Sequence, residues 1–211
     1  MATEARAKQM VEAVVLAAGA SSRFGGGKLL APLGDGVLLD RALATAFAAP
    51  VRAVTLVTGA DAERVAAAAR AFAEGTGHAA RLRIVHASDH AEGMGASLRT
   101  GVAALPADVD AAFVFLGDMP RIPAAVLAPL AQAVAEGAPA ACAAFGGKRG
   151  HPAVFGRALF AELLALSGDQ GARAVLQGLG PRLALVEAPD DGVLADVDTP
   201  ADLKAASGLD S

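Results

Sequence analysis

The chain has 211 residues, a formal net charge of −4 at pH 7 and only one cysteine. This length can bury a large core without disulfides, and a single cysteine excludes a disulfide framework or a cysteine cluster for zinc or iron–sulfur. The acidic balance and the 4% aromatic content argue against a nucleic-acid surface, which needs clustered basic charge and stacking aromatics, so we expect a small-molecule partner.

The first ten residues, MATEARAKQM, are mixed in charge and lead into a glycine-bearing loop rather than a cleavage site for secretion. The sequence contains no uninterrupted apolar run of about 18 residues, the length that a bilayer span requires. We therefore expect a cytoplasmic protein that binds neither nucleic acid nor membranes.

Short apolar runs alternate with segments of strong helix formers along most of the chain. The predicted strands are 13–17, 53–57, 82–85, 111–116 and 140–145, and the predicted helices are 38–47, 62–72 and 124–134. This alternation indicates right-handed βαβ crossovers and an α/β fold whose mostly parallel sheet is covered by helices on both faces. After Gly146 the pattern changes, and strands at 152–155 and 183–186 are expected to be antiparallel or to lie at an edge. Because there is no repeat or linker, residues 1–211 are expected to form a single domain.

A glycine-rich segment follows the first predicted strand, at the sheet edge where open α/β sheets bind ligands. It reads LAAGASSRFGGGK at residues 16–28, with glycines at 19, 25, 26 and 27. Glycine backbones can approach an anion closely, and Arg23 and Lys28 add two positive charges that suit a triphosphate. The segment therefore indicates a phosphate-binding loop, and a flexible surface loop is the alternative.

Two familiar nucleotide-binding loops do not fit this segment. A Walker A loop would need glycine at Ser22 and a hydroxyl residue at Leu29. A dinucleotide fingerprint would need a second glycine two residues after Gly19, where Ser21 stands, and an acidic residue at the end of the second predicted strand. Both of these classes are excluded.

Two acidic segments are candidates for a magnesium site. Asp118 follows an apolar strand in FVFLGDMP at residues 113–120, and a strand-end carboxylate beside a phosphate-binding loop suits Mg²⁺. The alternative is that Asp118 caps a helix near Ile122. DVDTP at residues 196–200 supplies a second carboxylate, because Asp196 and Asp198 lie on one face of an extended chain. Capping of the following helix by Asp198 or Thr199 is the alternative there.

Four motifs in this order resemble those of the MobA-like nucleotidyltransferases, and most closely the molybdenum cofactor cytidylyltransferases among them. They are LAAGASSRFGGGK at 16–28, GDMP at 117–120, RGHP at 149–152 and DVDTP at 196–200, and together they span nearly the whole chain. The guanylyltransferase branch usually has LAGG at the start of the first motif, so Ala18 and the GHP element resemble the cytidylyl branch. The resemblance implies a Rossmann-like three-layer sandwich of the nucleotide-diphospho-sugar transferase type.

The resemblance also implies an activity: Mg²⁺-dependent transfer of CMP from CTP to the phosphate of molybdopterin, with release of pyrophosphate. It implies catalytic roles for Arg23, Lys28 and Asp118, and metal ligation by Asp118 and Asp198. The implied nucleotide-binding residues are Leu16, Ala17, Ala18, Gly19, Arg23, Lys28, Gly93, Met94 and Ser97. His151 either contacts the substrate or fixes the turn before Pro152.

Two other functions are compatible with the same domain. Some proteins that contain it are named oxidoreductases, but the missing dinucleotide fingerprint argues against that function. A non-catalytic protein that delivers the finished cofactor to a molybdenum hydroxylase would not need Arg23, Lys28 and Asp118. The retained charged residues favour the transferase.

Overall fold

The computed structural model describes residues 9–168 and 171–208 of the chain. Its strands are β1 Val11–Ala17, β2 Pro32–Leu33, β3 Gly36–Val37, β4 Val54–Thr58, β5 Leu82–His86, β6 Ala111–Leu116, β7 Ala140–Phe145, β8 Lys148–Gly156 and β9 Leu183–Glu187. Its helices are α1 Leu38–Ala48, α2 Ala62–Gly75, α3 Met94–Ala103, α4 Leu127–Ala135, α5 Phe160–Leu164, α6 Arg173–Gly178 and α7 Pro200–Ser207.

One seven-stranded sheet forms the centre of the fold, in the order β5-β4-β1-β6-β8-β7-β9. Strands β5, β4, β1 and β6 pair in parallel, whereas β8 is antiparallel to both β6 and β7. Strand β9 pairs in parallel with β7 at the edge, and β2 and β3 form a small separate hairpin. The sequence prediction of a mostly parallel α/β sheet is confirmed.

Helices cover both faces of this sheet because the strands are apolar on both sides. Consecutive β1 residues show this: Val15 packs in a cluster with Leu43 of α1, while Val14 packs with Leu98 of α3 on the other face. Helices α1, α2 and α4 contribute to the first cluster, and α3 and α5 to the second. The predicted three-layer arrangement is therefore present.

The structure differs from the sequence prediction mainly at α3, which the sequence did not predict as a helix. Two glycines, Gly95 and Gly101, lower its intrinsic helix propensity. Packing requires the second glycine, because a Cβ at Gly101 would lie 2.5 Å from Cγ1 of Val14. Tertiary contacts with the sheet therefore override local propensity.

Two other elements begin at residues that differ from the predicted ones. Strand β8 begins at Lys148 rather than at residue 152. Lys148 and Arg149, the first two residues after the turn, are polar, but they pair with β7 and so extend the strand. The predicted helix at 124–134 begins as a 3-10 turn, Ala124–Val126, and becomes α-helical at Leu127.

The carboxyl ends of β1, β6 and β7 meet at one edge of the sheet, because these strands run in the same direction. The segments that follow them, and the start of β8, therefore lie along that edge. Among the described residues, no helix has the length and apolar character that crossing a bilayer demands.

Candidate active site

The glycine-rich loop after β1 has a backbone that only its glycines readily adopt. Gly25, Gly26 and Gly27 have φ angles of 88°, 94° and 64°, all in the left-handed region that side chains disfavour. Lys28 follows directly and begins a short 3-10 turn, Lys28–Leu30, in which Lys28 and Leu29 are buried. The glycine run thus reverses the chain and directs Lys28 inward, so this segment is a defined turn in the structure.

Lys28 lies between two carboxylates from distant parts of the sequence. Its Nζ donates to Oδ2 of Asp118 at 2.7 Å and to Oδ1 of Asp198 at 3.2 Å. Its side chain is only 9% exposed. Burial by itself would lower the pKa of Lys28, but hydrogen bonding and attraction from Asp118 and then Asp198 outweigh it and raise the pKa above its usual value. Lys28 is therefore cationic at neutral pH.

Arg23 completes the group of charges. Its Nη1 donates to Oδ2 of Asp198 at 2.7 Å, but its side chain is 79% exposed, so solvent screens this ion pair. The structure thus brings Arg23, Lys28, Asp118 and Asp198 together, although they come from three separate sequence motifs. Two positive and two negative charges balance within this cluster.

Asp118 is held at the sheet edge by backbone hydrogen bonds on both sides. The Gly117 N–H donates to the Leu16 carbonyl of β1 at 2.9 Å, and the Asp118 carbonyl accepts from Val197 N–H at 3.0 Å. The 3-10 turn that follows has Pro123 at its N-cap and no side-chain cap. Asp118 therefore uses its carboxylate for Lys28, and the helix-capping interpretation does not describe it.

At the second acidic motif the structure separates capping from the charge cluster. Thr199 is the N-cap of α7: its hydroxyl oxygen accepts from the Asp202 N–H, and Asp202 accepts from the Thr199 N–H at 2.8 Å. Asp198 points instead to Lys28 and Arg23. Asp196 is exposed and makes no contact with either cation, so Asp198 is the second carboxylate of the cluster.

The residues proposed to contact the base and ribose fall into two neighbouring segments. Leu16, Ala17 and Ala18 are buried, and Gly19 is exposed, so only the backbone and Gly19 can face a ligand on this side. A Cβ at Gly59 would lie 2.4 Å from the Ala18 carbonyl oxygen and 2.7 Å from the His90 ring. Gly59 thus packs against both Ala18 and His90. Because His90 belongs to the loop before α3, this loop is adjacent to Ala18.

The start of α3 carries the other three predicted nucleotide residues. Gly93 precedes the helix with a φ of 122°, Met94 is 44% exposed and Ser97 is buried. Residue 94 also approaches Gly171, where an added Cβ would lie 3.1 Å from the Met94 sulfur. Met94 is thus the side chain of this group that is most accessible to a ligand.

Arg99 of α3 was not among the site residues predicted from the sequence, although its contacts hold the loop before α3 in place. Its guanidinium donates to the Leu166 carbonyl at 2.6 Å and forms a close ion pair with Asp89. These contacts join the loop before α3 to the segment after α5. The helical spacing of Leu98 and Val102 was the sequence signal that would have located Arg99 on a packed helix.

His151 lies on β8 beside the acidic cluster. Its Nδ1 atom is buried and has no hydrogen-bond partner within the described part of the chain. Burial lowers the pKa of His151, and attraction to Asp118 and Asp196 opposes this only in part. The ring is therefore neutral at pH 7, with an unpartnered polar atom near the two predicted metal-binding motifs.

The carboxylates fit a hard divalent cation, although they do not form a closed metal site. Residues 9–168 and 171–208 contain no cluster of three or more His, Cys, Asp or Glu that could enclose a metal by itself. Mg²⁺ typically takes one or two carboxylates and completes its shell with phosphate oxygens and water. Asp118 and Asp198 reach the same ammonium group, so they can also reach the same cation.

The family model of the MobA-like NTP transferase domain matches residues 13–186, which is most of the chain and extends from within β1 into β9. The chain belongs to this family. It is therefore a nucleotidyltransferase, an enzyme that takes an NTP and a small-molecule acceptor. No curated protein sequence matches the chain significantly.

Solved structures agree with this assignment over the full length of the MobA-like domain. Rv0371c from Mycobacterium tuberculosis H37Rv is 29% identical, with a TM-score of 0.78, and the match covers 95% of this chain and 98% of that one. A complex of Rv0371c with manganese is 27% identical over 95% and 99% of the two chains, with a TM-score of 0.76. A nucleotidyl transferase from Methanothermobacter, Mth528, is 26% identical over 95% and 97%, with a TM-score of 0.74.

Proposed function

We propose that this MobA-like NTP transferase transfers CMP from CTP to the phosphate of a molybdopterin-type acceptor, with Mg²⁺ held by Asp118 and Asp198. The observation that carries the proposal is the position of Lys28 between these two carboxylates, 2.7 and 3.2 Å from them. Two cations that suit phosphate and two carboxylates that suit a divalent metal thus lie side by side at the carboxyl ends of the strands, where α/β folds bind ligands.

The choice of CTP as donor and the choice of a divalent metal are supported by two different observations. Ala18 in LAAG resembles the cytidylyl branch, and in the structure its side chain is buried beside Gly59. This methyl group packs into the protein against Gly59, so the choice of CTP as donor is supported by the motif resemblance. Rv0371c, a structural relative, was solved as a complex with manganese, and this supports a divalent cation here.

The proposed reaction is one displacement at phosphorus. An oxygen of the acceptor phosphate forms a bond to the α-phosphorus of CTP, and the bond from that phosphorus to the β-phosphate oxygen breaks. Pyrophosphate leaves with the electron pair of that bond. A phosphomonoester is largely dianionic at neutral pH, because its second pKa is about 6. The attacking oxygen is therefore already deprotonated, and no general base is required.

The residues of the chain position the substrates and balance charge. Arg23 and Lys28 exchange their carboxylate partners for triphosphate oxygens. Backbone N–H groups of Gly25 and Gly27 would bind the same anion, whereas the Gly26 N–H donates to the Ser21 carbonyl and holds the loop in shape. Asp118 and Asp198, released from these ion pairs, would hold Mg²⁺. The ion would supply positive charge at the phosphates where negative charge develops.

His151 is proposed to face the acceptor. Its unpartnered Nδ1 is a buried polar atom, and such atoms usually have a partner in a complete site. A donor group on the bound acceptor would supply that partner. The structural interpretation of His151 alone would leave this atom without one.

The test is an assay of pyrophosphate release with Mg²⁺, molybdopterin and each of the four NTPs in turn. We expect release with CTP to be fastest and to need both the metal and the acceptor. Pyrophosphate release that is absent with every NTP would contradict the transferase proposal, and GTP as the best donor would contradict the cytidylyl assignment. A parallel titration with NAD(P)H or flavin, followed by absorbance, tests the oxidoreductase alternative.

A further inference from the structure

A groove lies at the same edge of the sheet, on the side of the charge cluster away from the proposed nucleotide residues. It is lined by Phe145, Gly146, Lys148, Asp191, Leu194 and Ala195 and has a volume of about 360 Å³. The nucleotide residues lie near β1 and β4, whereas the groove lies beyond β8 at the end of β7. Asp118, at the end of β6, stands between the two regions.

One wall of the groove is a tight hairpin. Gly146 and Gly147 join β7 to β8, and their φ angles of 56° and 77° match a two-residue turn with both central residues left-handed. Phe145 and Lys148 are directly paired across this turn, so their side chains project from the same face of the hairpin. An apolar ring and an ammonium group are thus presented together.

The other wall continues directly into the charge cluster. Ala195 is three residues before Asp198, and a chain of that length spans at most about 11 Å. The two walls are also in contact, through Gly150 of β8 on one side and Val193 on the other. There is no space for a side chain between them, because a Cβ at Gly150 would lie 2.1 Å from the Val193 carbonyl oxygen. A molecule in the groove therefore lies within reach of Asp118 and Asp198.

Lys148 is the group at the groove that suits a negatively charged part of a ligand. Asp191 is neutralised by Arg121, whose Nη2 donates to its carboxylate at 2.9 Å. Lys148 is exposed and forms no ion pair with any residue in the described ranges. The floor is apolar, because Phe145 and Leu194 both pack partly against the main core. A second carboxylate, that of Glu187, accepts from the Gly146 N–H at 2.8 Å. The groove thus offers an apolar surface beside one exposed ammonium group that is not part of an ion pair.

We propose that this groove holds the body of the acceptor and that Lys148 determines its specificity. The inference rests on the proposed function, which requires a second ligand beside the nucleotide. The acceptor class that fits is an organic phosphate with an apolar or planar body that packs on Phe145 and Leu194. A second electronegative group on that body meets Lys148, while the phosphate extends to the cluster at Asp118 and Asp198.

The test compares Lys148→Glu with the wild type and with Lys204→Glu, a matched charge reversal on the exposed face of α7. Binding of molybdopterin is followed by its pterin fluorescence, and binding of CTP by calorimetry. We expect Lys148→Glu to weaken molybdopterin binding at least about tenfold, because one charge-assisted contact is replaced by repulsion. CTP affinity is expected to stay the same in all three proteins.

Equal molybdopterin affinity in Lys148→Glu and wild type would overturn the groove assignment, as would the absence of molybdopterin binding to the wild type. A parallel loss of CTP affinity in Lys148→Glu would also overturn it, since the groove is assigned to the acceptor alone. Failure of the proposed function is distinguishable, because it would appear as molybdopterin binding to the wild type without pyrophosphate release from any NTP.

Discussion

At the scale of single residues, the main feature is that each proposed substrate-binding cation is paired with a proposed metal-binding carboxylate. Lys28 contacts both Asp118 and Asp198, and Arg23 contacts Asp198. In this state the ammonium group of Lys28 competes with any divalent cation for the same oxygens. In the proposed function, binding of a metal–nucleotide complex would remove this competition, because the phosphates would offer Lys28 new partners.

This competition predicts opposite effects of Lys28→Met on two ligands. Without nucleotide, Mn²⁺ should bind about tenfold more tightly, a factor that corresponds to 1.4 kcal/mol, because two carboxylates lose their internal cation. The affinity for CTP should fall by roughly 1.5–3 kcal/mol, the usual value of a charge-assisted hydrogen bond. Electron paramagnetic resonance of free Mn²⁺ and calorimetry with CTP measure the two effects.

Arg23→Ala is the comparison for this prediction. It should weaken CTP binding toward the lower end of the same range, since the exposed guanidinium is screened by water. Weaker Mn²⁺ binding by Lys28→Met, or unchanged CTP affinity in both variants, would contradict the roles assigned to these cations.

At this scale the sequence points to the four charged residues because each lies in a short motif. Arg23, Lys28, Asp118 and Asp198 were each selected from residue type and position relative to a strand, and the structure places them in one cluster. What the sequence left open was the choice between capping and site chemistry. That choice depends on side-chain direction, which only the folded chain reveals.

At the scale of elements, the strands were easier to predict than the helices that cover them. Buried parallel strands are continuous apolar runs, so β1, β6 and β7 are visible in the sequence. Helix α3 was not predicted, because its glycines serve close packing against the sheet rather than helix formation. The groove also escaped prediction, since Lys148 and Leu194 come together only through the turn and the contact between Gly150 and Val193.

The packing role of Gly101 leads to a stability prediction. Gly101→Ala should lower the free energy of unfolding by about 1–3 kcal/mol, because the new methyl group would overlap side chains of Val14 and Val57. Gly75→Ala is the matched control: it also lies in a helix, but apart from the adjacent backbone of that helix no atom lies within 4 Å of an added Cβ. That change should be neutral or stabilising by up to about 1 kcal/mol.

Urea unfolding of the two glycine variants and the wild type provides the measurement. Equal loss of stability in Gly101→Ala and Gly75→Ala would show that the close contact of α3 with β1 and β4 has no special role.

At the scale of the whole molecule, the amino ends and the carboxyl ends of the parallel strands have different groups of charged residues. Ion pairs lie at the amino ends, opposite the charge cluster. Glu12 of β1 is fully buried and pairs with Arg52 and Arg83. Arg52 also pairs with Asp108. These contacts connect β1 with the starts of β4, β5 and β6. This group of ion pairs therefore lies at one end of the sheet and the proposed chemistry at the other.

This division predicts an acid dependence of stability that is independent of activity. Two hydrogen bonds from Arg52, at 2.6 and 2.9 Å, lower the pKa of Asp108 below its usual value of 3.8. A carboxyl whose pKa is depressed on folding contributes stability above pH 3.8, and this contribution is lost as the pH falls through its folded pKa. The free energy of unfolding should therefore decrease below about pH 4.

Asp108→Asn isolates this contribution. The variant should show a smaller decrease between pH 5 and pH 3 than the wild type, while its rate of pyrophosphate release at neutral pH stays the same. Identical pH profiles for the two proteins, measured by chemical denaturation, would show that the Arg52–Asp108 pair does not contribute.

The Asp118 carboxylate is proposed to take part in nucleotidyl transfer beside the glycine-rich loop. The most direct measurement is the rate of pyrophosphate release from CTP with molybdopterin, in the wild type, Asp118→Ala and Asp196→Ala. Asp118→Ala should reduce the rate by about 100-fold or more, because a group that organises charge at the reacting phosphates is lost. Asp196→Ala, which removes an exposed carboxylate outside the cluster, should retain most of the rate. Undiminished transfer by Asp118→Ala would contradict the account.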